Sequence, residues 1–199
     1  MTLIYRAAEK RDCLKLAELR NIASDGIMEY LLHDLIPGMK PVQVAASDME
    51  KDKDPHTYRN AIVAMEETNI IGMAFSYPSY YHEITDKMRK FFPADRLEHL
   101  SHFYSSRVEN SWYLDALCVL QSHRRRGIGE RLISLTKERA VEKRYNTLSL
   151  IARADNELAL PLYKRTGFEI VQKIELRPNE FIRHDQGCVS DSCRGEHCN

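Results

Sequence analysis

Leu117-Cys118-Val119-Leu120-Gln121-Ser122-His123-Arg124-Arg125-Arg126-Gly127-Ile128-Gly129-Glu130-Arg131-Leu132-Ile133 changes its hydrophobic period partway along. Residues 112–120 are rich in β-favouring and apolar side chains, which predicts a strand. Beyond the basic run, Ile128, Leu132, Ile133 and Leu135 recur at helical spacing and put one apolar stripe on a helix. Gly127 and Gly129 fall where that helix begins. The first N–H groups of a helix have no acceptor in an earlier turn, and this end of its dipole is positive, so an anion fits there. The glycines let the anion come close to the backbone, and the expected ligand is a phosphate.

The chain has 199 residues, 43% apolar and 29% charged, which predicts one globular domain over 1–184 with a real core. Lys+Arg and Asp+Glu balance at 29 each, so no overall basic field recruits nucleic acid or an anionic membrane. No apolar run approaches the roughly 20 residues of a membrane span, and the first ten residues lack a signal-peptide core. The expectation is a soluble cytoplasmic protein. Cys13 and Cys118 sit in apolar patterns and read as buried free thiols. Cys188, Cys193 and Cys198 cluster with His184 and His197, but their spacing is looser than a zinc knuckle. No metal site is expected, and 185–199 reads as a flexible tail.

In chain order, residues 3–7 read as a strand and residues 12–23 as an amphipathic helix with Asp12 as its cap. Further helices are expected over 27–36 and 42–49, then a solvated charged loop at 51–55. Residues 59–66 and 70–77 suit an antiparallel hairpin with Asn69 in the turn. Residues 78–110 form a long aromatic insertion in which 86–92 and 94–104 suggest short helices. It is either functional or simply packed onto the domain. Strand, helix and strand then follow over 112–120, 127–143 and 147–152, a parallel crossover unit. A short helix opened by Asn156 ends at Gly167, with Pro161 either bending it or confining its regular part to one side, and residues 168–176 and 181–183 supply the last strands.

The glycine pair fits two better-known phosphate turns poorly. No Gly-Lys-Ser or Gly-Lys-Thr ends it, and Leu132 stands where a dinucleotide fingerprint needs its third glycine. A nucleic-acid patch at His123 to Arg126 lacks a second basic cluster nearby. What sharpens the signal is the second half of the chain, where Arg124-x-x-Gly127-x-Gly129 is followed by Asn156, Tyr163 and Gly167-Phe168. Residues 112–170 resemble the acyl-CoA-binding core of the GNAT N-acetyltransferase superfamily. In that superfamily an Arg/Gln-x-x-Gly-x-Gly/Ala turn is followed by a helix-opening asparagine, a tyrosine seven residues later, and a Gly-Phe pair. The 3–8 opening resembles the superfamily's first strand, whereas residues 24–57 and 78–110 carry none of its motifs.

The resemblance implies an α+β fold, a central twisted mixed β-sheet flanked by helices on both faces. It also implies an acetyl-CoA-dependent N-acetyltransferase that moves the acetyl group to a primary amine by direct attack in a ternary complex. The other class left open is a non-catalytic acyl-CoA-binding or regulatory domain. The acceptor is a small-molecule or peptide amine, and a homodimer is allowed. The pyrophosphate of acetyl-CoA is expected on backbone N–H groups of Arg124, Arg125, Arg126, Gly127, Ile128, Gly129 and Glu130, with the arginines adding charge. Leu117, Cys118 and Val119 occupy the splayed strand that pairs with the pantetheine arm and polarises the thioester. Asn156 completes the cofactor set.

Tyr163 matches the superfamily's general acid, the alternative for it being core packing. Asp115, on the strand face of Leu117 and Val119, is the candidate base, or else a partner for a nearby backbone N–H. Tyr77 to Tyr81 with Asp115 suggest an aromatic and acidic wall for a cationic amine. Cys118 has no histidine beside it in sequence and is not expected to act as a nucleophile.

Overall fold

A computed structural model of the chain describes residues 2–176 and the backbone of 189–195. The elements are β1 (Leu3–Ala7), α1 (Cys13–Ala23), α2 (Ile27–Leu32), α3 (Pro41–Met49), β2 (Ala61–Glu66), β3 (Asn69–Pro78), α4 (Asp86–Phe91), α5 (Ala94–His99), α6 (Ser101–Ser105), β4 (Trp112–Val119), α7 (Ile128–Glu142), β5 (Leu148–Leu150), β6 (Ala152–Arg153), α8 (Ala159–Arg165), β7 (Phe168–Glu175) and β8 (Val189–Gly195). They gather into two compact units. One holds residues 1–77 and 114–139, the other 78–113 and 140–199.

In the first unit the strand order is β1-β2-β3-β4. β1/β2 and β2/β3 are antiparallel, and Glu66 pairs with Leu3 on one side and Asn69 on the other. The hairpin turn is made by Glu67 at φ 55°, not by the expected Asn69, which instead begins β3. Ala64 pairs with Gly72 and Met65 with Ile70, so Ile71 is an extra residue in the ladder, a β-bulge. β3 is buried from Ile70 to Tyr77, as a strand covered on both faces must be. Its covers follow from parity along the strand. The Arg20 guanidinium of α1 lies 4.7 Å from the centre of the Phe75 ring, whereas the Cβ position of Gly72 faces Leu132 of α7. Residues 72 and 75 point to opposite faces, so α1 and α7 lie on opposite sides.

Leu16, Ala17 and Leu19 bury the inner face of α1, and Ala17 packs with Met28, Ala45 and Ala46 of α2 and α3. α2 stops at Leu32, four residues short of the expected end. Asp12 does not cap α1 with its side chain. Its carboxylate accepts from Arg6 at 2.7 and 3.2 Å and from the Glu9 N–H at 2.8 Å.

In the second unit the start of β4 neighbours β5, and the Trp112 N–H donates to the Thr147 carbonyl at 2.8 Å. The link through α7 is the crossover expected of a parallel pair. β8 pairs antiparallel with β5, β6 and β7, so residues within the stretch read as a flexible tail form a strand. The expected strand at 181–183, and Cys188, Cys198, His184 and His197, lie outside the described residues.

The 78–110 insertion contains α4, α5 and α6, with the Thr85 hydroxyl accepting from the Met88 N–H to cap α4. Tyr80 and Phe91 are exposed, whereas the aromatics around His82 pack together. His82, 1% exposed, places its ring 4.8 Å from Phe103, 5.2 Å from Tyr104 and 4.4 Å from Tyr113, and its Nε2 lies 3.0 Å from the Phe103 carbonyl.

Candidate active site

β4 delivers the chain to the basic turn. Asp115, Leu117 and Val119 are half-buried and alternate with buried Ala116 and Cys118, the period-two pattern expected of the strand. Burial pushes the Cys118 thiol up, which favours its protonated form. Leu120 then donates its N–H to the carbonyl of the bulge residue Ile71 at 2.9 Å, tying the exit of β4 to β3.

Residues 121–123 make a 3-10 turn and α7 begins at Ile128. Arg125 and Gly127 both have left-handed backbones, φ 61° and 75°. Nothing lies within 4 Å of the Cβ position of Gly127, so its backbone handedness rather than crowding calls for glycine there. Arg131 donates to the Gly127 carbonyl at 3.0 Å, the first main-chain bond of the helix. The N–H groups of Ile128, Gly129 and Glu130 therefore have no acceptor one turn earlier and point out of the helix start. Left-handed residues ahead of free helix N–H groups make a concave anion site, which fits a pyrophosphate.

Ile128 is 1% exposed, so only its backbone is available to a ligand. The three arginine side chains stand at the surface. Arg124 Nε donates back to the Val119 carbonyl at 3.1 Å, and Arg126 Nη2 donates to Glu66 at 2.7 Å. Arg124 and Arg126 thus each direct one guanidinium N–H to a protein acceptor.

Gly72 lets β3 approach β4 closely near the C-terminal end of β4. A Cβ there would fall 2.9 Å from the Cys118 carbonyl oxygen and 3.4 Å from a Val119 methyl. Both neighbours belong to the 117–119 segment named for the pantetheine arm.

Asp115 sits in a network that joins four elements. Its Oδ2 accepts from Arg20 Nε and its Oδ1 from the Tyr77 hydroxyl, both at 2.8 Å. The His56 ring lies edge-on to Tyr77, centroids 6.4 Å apart, and His56 Nδ1 stands 3.8 Å from Asp48 Oδ2. Burial pushes the Asp115 carboxyl up, but the charge and hydrogen bond of Arg20, then His56 and Tyr77, carry it below its ordinary range. Burial, helped by the Arg20 charge, holds His56 low and favours its neutral form. The Asp48 carboxyl is drawn down to about 2, first by His56 and then by Lys51. The arrangement fixes a negative charge on β4 beside a phenol and an imidazole.

Asn156 and Tyr163 belong to the other unit. Asn156 Oδ1 accepts from the Ala159 N–H at 3.0 Å, and its carbonyl accepts from Leu160 at 3.0 Å, so it closes the turn ahead of α8, which itself begins at Ala159, later than the sequence suggests. Pro161 stands in the first turn of α8, where a missing N–H costs no helical bond. Tyr163 is 9% exposed and packs edge to face on Phe168, centroids 5.6 Å apart.

Arg20, His56, Glu66 and Gly72 escaped the sequence reading. Arg20, Glu66 and Gly72 meet their partners across long stretches of chain, 95 residues between Arg20 and Asp115, and no local periodicity signals such a pairing. Among the described residues no helix is long and apolar enough to cross a membrane, and no cluster of three or more His, Cys, Asp or Glu is built to hold a metal ion.

Residues 28–168 match the acetyltransferase (GNAT) family model. Solved structures share the fold over nearly the whole chain. An acetyltransferase is 24% identical with a TM-score of 0.68, covering 97% of this chain and 98% of its own. An N-acetyltransferase from Staphylococcus aureus Mu50 is 20% identical with a TM-score of 0.65, covering 96% and 99%. The Salmonella typhimurium protein yncA, solved with its cofactor acetyl-CoA, is 14% identical with a TM-score of 0.61, covering 98% and 94%. With the motif residues standing at a strand-to-helix turn of the expected build, the chain belongs to the GNAT acetyltransferase family, with acetyl-CoA as cosubstrate.

Proposed function

We propose that the protein acetylates a primary amine, on a small molecule or a peptide, by direct attack on acetyl-CoA within a ternary complex in the cytoplasm. The observation that carries this reading is the turn from Arg124 to Glu130, whose left-handed residues and unpartnered helix N–H groups suit the pyrophosphate. The thioester then lies along Leu117, Cys118 and Val119, where a main-chain N–H polarises its carbonyl. The amine nitrogen attacks that carbon, the C–S bond breaks, and the departing thiolate takes a proton from the Tyr163 hydroxyl. The amine must be neutral to attack, so the proton of its cationic form leaves first, by water to Asp115 and on to solvent, and the proton that the nitrogen sheds on forming the amide returns by water to Tyr163.

Because Arg20 favours the charged form of Asp115, this carboxylate attracts a cationic amine and passes its proton on rather than storing it. Tyr77, bonded to Asp115, supports the aromatic and acidic wall expected from the sequence. Asn156 serves the cofactor side by shaping the start of α8.

The test is CoA release from acetyl-CoA with a panel of polyamines, amino acids, aminoglycosides and peptide N-termini. Turnover with at least one amine is expected, and Tyr163→Phe should lower it about a hundredfold while CoA affinity stays within a few-fold. Equal losses in turnover and affinity would remove the acid role. Binding without turnover across the whole panel would leave a non-catalytic acyl-CoA-binding domain.

A further inference from the structure

Glu66 ends β2, far in sequence from the phosphate turn, yet its carboxylate touches that turn twice. His123 Nε2 lies 3.1 Å from one of its oxygens, and Arg126 Nη2 donates to the other at 2.7 Å. The other ring nitrogen of His123 lies 2.8 Å from Ser122 Oγ, so the imidazole is held on both sides. The two contacts bracket Arg124 and Arg125. They start from a rigid base, because the Glu66 backbone is paired on both sides and its side chain is 13% exposed.

A carboxylate beside an anion site weakens the positive field that draws the ligand. An ion pair with a surface arginine also adds little to stability. Neither the field nor the fold accounts for placing an acid here, whereas restraint of the turn does. The left-handed Arg125 and Gly127 alternate with residues that need an outside anchor to keep their N–H groups converging.

We propose that Glu66 is a positioning residue which, through His123 and Arg126, holds the 121–127 turn in its pyrophosphate-binding shape before the ligand arrives. This rests on the reading of that turn as the acetyl-CoA pyrophosphate site. Preorganisation of this kind lowers the ordering cost of binding, so its loss appears in affinity and not in the chemical step.

The experiment measures CoA binding by calorimetry, and KM for acetyl-CoA and kcat, for wild type, Glu66→Ala, Glu66→Gln and Glu66→Asp, with melting temperatures alongside. Glu66→Ala should weaken CoA binding on the order of tenfold and raise KM in step, with kcat at saturation within about twofold. Glu66→Asp should recover part of the loss. Glu66→Gln keeps the shape with one acceptor oxygen and should fall between wild type and alanine; it carries the test if the alanine variant does not fold. CoA binding as tight as wild type, or tighter, in Glu66→Gln or Glu66→Ala overturns the proposal, because a carboxylate that merely repels phosphate gives that result. Absence of CoA binding by wild type is a different failure, and it removes the pyrophosphate site itself.

Discussion

At Asp115 two hydrogen bonds decide what one carboxylate can do. Arg20 and Tyr77 occupy an oxygen each, and the side chains of Arg20 and Asp115 are only 16% and 13% exposed. Removing one partner from such a pair leaves the other charge buried without compensation. Asp115→Asn should therefore cost about 3 kcal/mol of stability in denaturant unfolding, besides any loss of turnover. The folded carboxyl titrates below its ordinary value of 3.8, so the unfolded chain takes up the proton first as pH falls. This contribution is complete above the unfolded value and is lost as pH drops through the folded one. Wild type should lose stability on acidification below about pH 4, and the asparagine variant should show a shallower fall over that window. A variant as stable as wild type at neutral pH would show that the Arg20 pair is not a buried one. The position of Asp115 on the half-buried face of its strand was legible in the sequence, because alternation is local. Its partnership with Arg20 was not, because 95 residues separate the two.

Among the elements, β3 and β4 act as a pair whose spacing is set by one missing side chain. The bulge at Ile71 supplies a carbonyl to Leu120, and Gly72 lets the Cys118 carbonyl come within 2.9 Å of where a Cβ would be. Gly72→Ala must move β4 at the segment assigned to the pantetheine arm, since backbone cannot rotate aside as a flexible side chain can. A loss of about 1–3 kcal/mol is expected from overpacking, with a raised KM for acetyl-CoA. An unchanged KM in a destabilised variant would place the arm elsewhere. The turn after β4 was readable because a switch from strand to helical period, two glycines and a basic run lie within a few residues. The hairpin was readable for the same reason, yet its turn residue was not. Asn69 is the better left-handed residue by type, but it is drawn into β3 as the partner of Glu66, and Glu67 takes the strained φ.

For the whole molecule, charge and composition set only outer bounds. Equal numbers of acidic and basic residues leave attraction of a phosphate ligand to local geometry, so binding should depend on the turn more than on net charge. Acetyl-CoA or CoA should stabilise the fold by about 2.7 kcal/mol at a hundredfold excess over Kd, read as a rise in melting temperature. No shift at millimolar ligand would contradict cofactor binding at this site. The family match begins at residue 28, so β1 and the whole of α1 lie outside it, although Arg20 of α1 holds Asp115. Asp115 and Tyr77 could be named from the sequence, but the partnership of Arg20 with Asp115 could not, because only folding joins them.

The left-handed backbone of Arg125 has a bearing on how relatives of this chain are recognised. Its φ of 61° is one that glycine or asparagine adopts more readily than arginine. A scan that scores the three consecutive arginines as the signature will discard chains with glycine or asparagine at the middle position. A scan that scores the order of backbone handedness, left at 125 and left again at 127, will keep them, and with them every chain that builds the same cup from different letters.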